Sequence, residues 1–139
     1  MTKTDDQLRA ILADHKNVAV VGLSPNPDRD SNEVAAYLIA NGYNVIPINP
    51  AVNEVLGLKS YPSLEAVPGP IEIVDVFRRS DNIPDIARSA VAVGAKVLWT
   101  QLDIVSEAGA EIAEIGGLQV VMDRCTLIEH RRLIGTGGS

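Results

Sequence analysis

Four residues near the start of the chain have the chemistry to hold an anion. Gly22, Ser24, Arg29 and Ser31 all fall in the stretch VVGLSPNPDRDSNEV, residues 20–34. Glycine lets the backbone approach a ligand closely. The serines add hydroxyl donors, and an arginine fork matches the oxygens of a phosphate. A second pair of cations, Arg78 and Arg79, follows the apolar run IEIVDVF, residues 71–77. Taken singly, each has a plainer role as a turn, a cap or a solvated charge. Taken together, they point to recognition of a phosphate-bearing ligand.

Several familiar phosphate sites are disfavoured by what is missing. Gly22 is the only glycine in its turn, so the dinucleotide fingerprint G-x-G-x-x-G is absent. The second strand ends in Ile48-Asn49-Pro50, with no acid to bond a ribose 2′-hydroxyl. The pattern G-x-x-x-x-G-K-[ST] is absent too. Ordinary NAD and ATP sites are therefore disfavoured. No catalytic set and no metal-ligand spacing emerges. His15 and His130 fall in expected helices as surface or helix-end residues. Glu129-His130-Arg131-Arg132 reads as a solvated helix face. Cys125 is either a small buried hydrophobe or a thiol near a ligand's reactive end, its pKa lowered by Arg124.

These residues need elements to position them, and the hydrophobic pattern supplies them. Thr4-Asp5-Asp6-Gln7 reads as a capping box before a helix striped by Leu8, Ile11 and Leu12. Residues 17–22 form a continuous apolar run, as in a strand buried on both faces. Asp30 or Ser31 is expected to cap the next helix, which stops at Asn41-Gly42. Further strands are expected over 43–48, 71–77, 95–100 and 118–122. Helices are expected after Ser80-Asp81, with Pro84 in the first turn, over 106–115 and over 127–133. Residues 51–70 hold only a possible short turn around 63–67. A loop of that length covers a site or hides a weak helix.

Alternating strands and helices, the strands rich in Val and Ile, predict an α/β fold. It is a doubly wound, mainly parallel five-stranded sheet with helices on both faces. In such a sheet ligands sit beyond the carboxyl ends of the strands, where the strand order reverses. The residues placed there are Gly22-Leu23-Ser24, Asn49-Pro50, Phe77-Arg78-Arg79, Trp99-Thr100-Gln101 and Asp123-Arg124-Cys125. Phe77 and Trp99 are the only Phe and Trp of the chain. Each suits a core position or a stacking face.

At 139 residues the chain is expected to form one domain, 1–139, with fraying at 1–4 and 135–139. A net charge of −6 disfavours general nucleic-acid binding. No apolar run reaches the roughly 18 residues needed to span a bilayer, so no membrane partner is expected. With one cysteine no internal disulfide can form, and a cytoplasmic setting is expected. Monomer and homodimer are both open, and no protein partner is indicated.

Six ordered segments, VGLSPNPDRDSNEV, GYNVIPINP, EVLGLKSYPSLEAVP, VDVFRRS, AKVLWTQL and VVMDRCTLIEH, carry a wider likeness. Over about residues 5–134 the chain resembles stand-alone CoA-binding domain proteins. These are relatives of the N-terminal domain of the succinyl-CoA synthetase alpha subunit. The resemblance implies a Rossmann-like fold binding coenzyme A or an acyl-CoA. It implies that Gly22, Leu23 and Ser24 line the pyrophosphate turn and that Asn49 and Pro50 border the adenosine. It further implies that Phe77 and Arg78 lie beside the nucleotide, with Trp99, Thr100 and Gln101 closing the other side. Charge alone adds Arg29 and Arg79 as phosphate partners. Unlike in the synthetase, no second domain with a phosphorylated histidine is expected here. Ala51-Val52-Asn53 stands where the synthetase has a lysine. A non-catalytic binding, sensor or carrier module is expected. The alternatives are an enzyme acting on a CoA thioester through Cys125, or an NAD(P)-binding redox module with Arg29 reading a 2′-phosphate.

Overall fold

The computed structural model describes residues 3–135. Met1, Thr2 and 136–139, part of the segments expected to fray, lie outside the described residues. Thr4 is held in place by its cap: its hydroxyl accepts from the Gln7 N–H, and the Gln7 side chain accepts from the Thr4 N–H. The capping box thus starts α1 (Asp5–Asp14), whose Leu8, Ile11 and Leu12 are buried.

The main sheet has five strands: β1 (Asn17–Val21), β2 (Asn44–Ile48), β5 (Ile73–Val76), β6 (Val97–Thr100) and β7 (Gln119–Val121). They lie in the order β2-β1-β5-β6-β7, and every pairing is parallel. The central strands are mostly apolar because both faces are covered. Val18, Val20, Val97 and Trp99 enter one core with α1, α2 (Asp30–Ala40) and α5 (Thr126–Leu133). Ala19, Val21, Val74 and Leu98 enter the other with α3 (Ile83–Ala92) and α4 (Glu107–Ile115). Alternation of side chains along a strand divides the two sets.

From β1 the chain winds through α2 to β2 on one side. It then crosses back to β5 on the other side of β1. The order reverses between β1 and β5, and a crevice opens beyond their carboxyl ends. The long crossover is not a bare loop. It holds a two-stranded antiparallel hairpin, β3 (Glu54–Val55) and β4 (Leu58–Lys59), and a 3₁₀ turn over Leu64–Ala66. Leu56 and Gly57 both have positive φ, 55° and 75°. That is the backbone of a type I′ hairpin turn. The sequence hid it because leucine is a poor residue at the first such position.

Two helix starts differ from expectation. Neither Asp30 nor Ser31 caps α2; Arg29 occupies the N-cap position, with no side-chain cap. Ser31 is instead drawn back into the preceding turn, where its hydroxyl accepts from the Ser24 N–H at 3.0 Å. Ser80 and Asp81 begin a 3₁₀ turn, Ser80–Asn82, and α3 starts only at Ile83. The Ser80 hydroxyl is spent on the Val105 N–H.

Candidate functional site

The turn after β1 is built to hold two strand ends close together. Gly22 has φ +86°, and a Cβ there would lie 2.8 Å from the Phe77 carbonyl oxygen. A larger residue would be strained in conformation and would push β1 from β5. The Gly22 N–H donates to the Ile48 carbonyl at 2.9 Å, tying in β2 as well. Asn49 Nδ2 donates to the Leu23 carbonyl, and Asn32 Nδ2 to the Ser24 carbonyl, both at 2.9 Å. The turn is thus pinned by α2 and by the end of β2. Leu23 offers only backbone, since its side chain is fully buried. Ser31 is buried and its oxygen is engaged.

The end of β5 divides the crevice into two clefts. Arg78 lines the first, of about 300 Å³, with Val21, Ile48, Pro50, Leu64 and Ile86 as its apolar walls. Glu65 and Asp85 stand at this cleft too. Phe77 lines the second, of about 470 Å³, with Val34, Leu102, Ile104, Cys125 and Ile128. Both volumes fall in the range of small-molecule sites. Arg29 and Arg79 are exposed and line neither cleft.

The residues expected on the far side of the ligand divide in the same way. Trp99 and Thr100 have no accessible surface. Trp99 Nε1 donates to the Arg124 carbonyl at 2.8 Å, and the Thr100 hydroxyl donates to the Ile104 carbonyl at 2.6 Å. Both are supports beneath the loops after β6 and β7. As placed, neither offers a ligand a face. Position 99 falls on the inward face of β6, in register with Asp75 and Val121, so the indole is enclosed. Gln101 does reach the second cleft, at its floor.

Beneath Gln101 lies a residue that the sequence reading missed. Asp75 is fully buried in β5. Gln101 Nε2 donates to its Oδ1, and the Thr126 hydroxyl, in the first turn of α5, donates to its Oδ2 at 3.0 Å. Burial pushes the Asp75 pKa up to about 7, against the opposing effect of these two hydrogen bonds. The signal was present: an acid in the middle of IEIVDVF has no place in an apolar strand without partners.

The groups considered for catalysis are otherwise occupied. Burial raises the Cys125 thiol above its ordinary pKa, against the N–H groups of Ile128 and Leu127. A protonated thiol is a poor nucleophile. His130 is buried between Tyr37 and Tyr43, its Nδ1 2.7 Å from the Tyr37 hydroxyl, and burial lowers its pKa. His15 Nδ1 bonds the Ile11 carbonyl at the end of α1. The segment expected as a solvated face is partly buried: Glu129 is enclosed and pairs with Arg132 at 2.5 Å.

The likeness to known proteins covers nearly the whole of this architecture. A model of the CoA binding domain family matches residues 16–131. The chain is 40% identical over 124 residues to the uncharacterized protein YneT of Bacillus subtilis (strain 168), covering 89% of this chain and 92% of that one. A hypothetical protein from Pyrococcus horikoshii OT3 superposes with a TM-score of 0.94 at 42% identity, over 96% of this chain and 94% of that one. The chain also aligns at 27% identity over 101 residues with an ADP-forming acetate–CoA ligase II of Archaeoglobus fulgidus. That match covers 71% of this chain but only 15% of the ligase. With its sheet order, its pinned glycine turn and a family match that runs from before β1 into α5, the chain belongs to the CoA binding domain family.

Proposed function

We propose that the chain binds coenzyme A or an acyl-CoA across the crevice at the carboxyl ends of its strands, as a binding, sensing or carrier module without catalysis of its own. The single observation that carries this reading is the family match over residues 16–131. The geometry of the crevice agrees with it. The first cleft has apolar walls suited to an adenine ring and one arginine, Arg78, suited to a phosphate. The Gly22-Leu23-Ser24 turn would carry the pyrophosphate toward the start of α2, where no side chain satisfies the helix N–H groups. Asn49 and Pro50 would border the adenosine, and Phe77 would stand at the passage to the second cleft. Arg29 and Arg79, free of ion pairs among the described residues, would reach phosphates by side-chain movement. A non-catalytic role fits the raised pKa of Cys125 and the occupied histidines.

Titration calorimetry with CoA, dephospho-CoA and NAD tests the reading. CoA is expected to bind most tightly. Arg78→Ala is expected to weaken it by about tenfold to a hundredfold, the value of a hydrogen bond to a charged group at ~1.5–3 kcal/mol. Absence of CoA binding, or equal affinity for all three ligands, would sink the proposal.

A further inference from the structure

The second cleft differs in chemistry from the first. Val34, Phe77, Leu102, Ile104, Leu127 and Ile128 give it mostly apolar walls. No basic side chain lines it, and its two charged residues, Asp30 and Glu33 at the start of α2, are both acids. Its floor carries one fixed polar group. Gln101 Nε2 donates to Asp75 Oδ1 and approaches Thr126 Oγ1 at 3.3 Å, so both amide hydrogens point inward. With Nε2 turned to both Asp75 Oδ1 and Thr126 Oγ1, the amide is held with Oε1 facing away from them. Among the described residues no buried side-chain polar atom lacks a partner. Oε1, which has no protein donor, is therefore open to the cleft. The site thus combines an apolar chamber, one preset acceptor for an N–H or O–H, and a negative rim.

We propose that this cleft receives the thioester end of an acyl-CoA and selects an uncharged, apolar acyl chain over a dicarboxylic one. The inference rests on the CoA reading above. The two clefts adjoin at the end of β5, where the consecutive residues Phe77 and Arg78 line one each. The amide-bearing arm of the cofactor supplies N–H groups for Gln101 Oε1. The apolar walls take the acyl carbons. A second carboxylate on the acyl chain would lose its hydration among these walls and meet Asp30 and Glu33 at the rim, with no cation to pair with. Cys125, half-buried in the wall, gives a built-in reporter of occupancy.

The test is calorimetry with CoA, acetyl-, butanoyl-, hexanoyl- and succinyl-CoA on the full chain. Each methylene buried is expected to tighten binding about fourfold, so butanoyl-CoA should bind at least tenfold more tightly than CoA. Succinyl-CoA should bind no more tightly than CoA. Leu102→Asp and Ile128→Asp, at exposed positions that leave the cores intact, should weaken butanoyl-CoA far more than CoA and so erase the acyl preference. Asp30→Asn with Glu33→Gln should narrow the gap between butanoyl- and succinyl-CoA. Butanoyl-CoA should also slow alkylation of Cys125 more than CoA does. If CoA binds but acyl chains make no difference, or succinyl-CoA binds best, this inference falls and the CoA reading stands. If CoA itself does not bind, both fall. Acyl preference that survives Leu102→Asp and Ile128→Asp would also overturn the cleft assignment.

Discussion

Replacing Asp75 by Asn tests whether the buried carboxyl stores a pH dependence of stability. In the fold its pKa is pushed up to about 7 by burial; in the unfolded chain it returns to about 3.9. The folded state therefore holds the proton more tightly. The stability this contributes is complete below the unfolded value and is lost as pH rises through the folded one. The loss runs at about 1.4 kcal/mol per pH unit while the folded group is protonated and the unfolded one is not. Between pH 5 and pH 8 that comes to about 3 kcal/mol, a large share of a typical 5–15 kcal/mol. Asn keeps the shape: its oxygen accepts from Gln101, and its amide faces a Thr126 hydroxyl that can turn to accept. Urea denaturation of both proteins at several pH values gives the difference between them, in which other titrating groups cancel. Asp5 and Glu72, whose pKa values are lowered, act in the acid range in the opposite sense and are shared by both proteins. The wild type should lose about 3 kcal/mol relative to Asp75→Asn across this range. A difference that stays flat, or grows with pH, would refute the assignment of Asp75 as a carboxyl held protonated by burial.

Two further substitutions separate ligand contact from support. Gly22→Ala should cost about 2–4 kcal/mol, from the left-handed conformation and the approach to the Phe77 carbonyl. It should weaken CoA in parallel, and a fully stable variant with unchanged affinity would contradict the role of the turn. Trp99→Phe should lower the denaturation midpoint by the equivalent of about 2–4 kcal/mol, through a cavity and an unpaired Arg124 carbonyl. Once folded it should bind CoA within about threefold of wild type, whereas direct stacking on Trp99 would predict a far larger loss.

The elements that carry the sheet were legible because their signals are local. The run NVAVVG and the Thr4 capping box each satisfy rules that neighbouring residues alone enforce. The strand-end residues Gly22, Pro50, Phe77, Arg78 and Gln101 could be assembled in advance, since topology dictates where carboxyl ends must gather. What was not legible depended on partners distant in sequence. Trp99 can be read as core or as stacking face until its register with Asp75 and Val121 is known. Ser31 looks like a cap until Ser24 is seen to need its oxygen. The division into two clefts of unlike chemistry follows from side chains of α2, α3 and α5 meeting at one strand end. No single stretch of sequence contains that meeting.

The hairpin in the crossover has a consequence for how such a chain can diversify. Its Val55 is buried in the core, and its flanks are clipped to the rim of the sheet by the Asn49 N–H to the Tyr61 carbonyl, the Tyr61 N–H to the Pro47 carbonyl, and the Ser60 hydroxyl to the Asn49 carbonyl. Just past it, Pro62, Ser63 and Leu64 wall the first cleft. The outer wall of that cleft is thus a length of chain obliged to cross the sheet in any case, yet it contributes no strand to the five. Residues can be inserted or exchanged around Leu56-Gly57 without disturbing the register of β1 and β5. Ligand selectivity at that cleft can drift while the scaffold beneath it stays fixed.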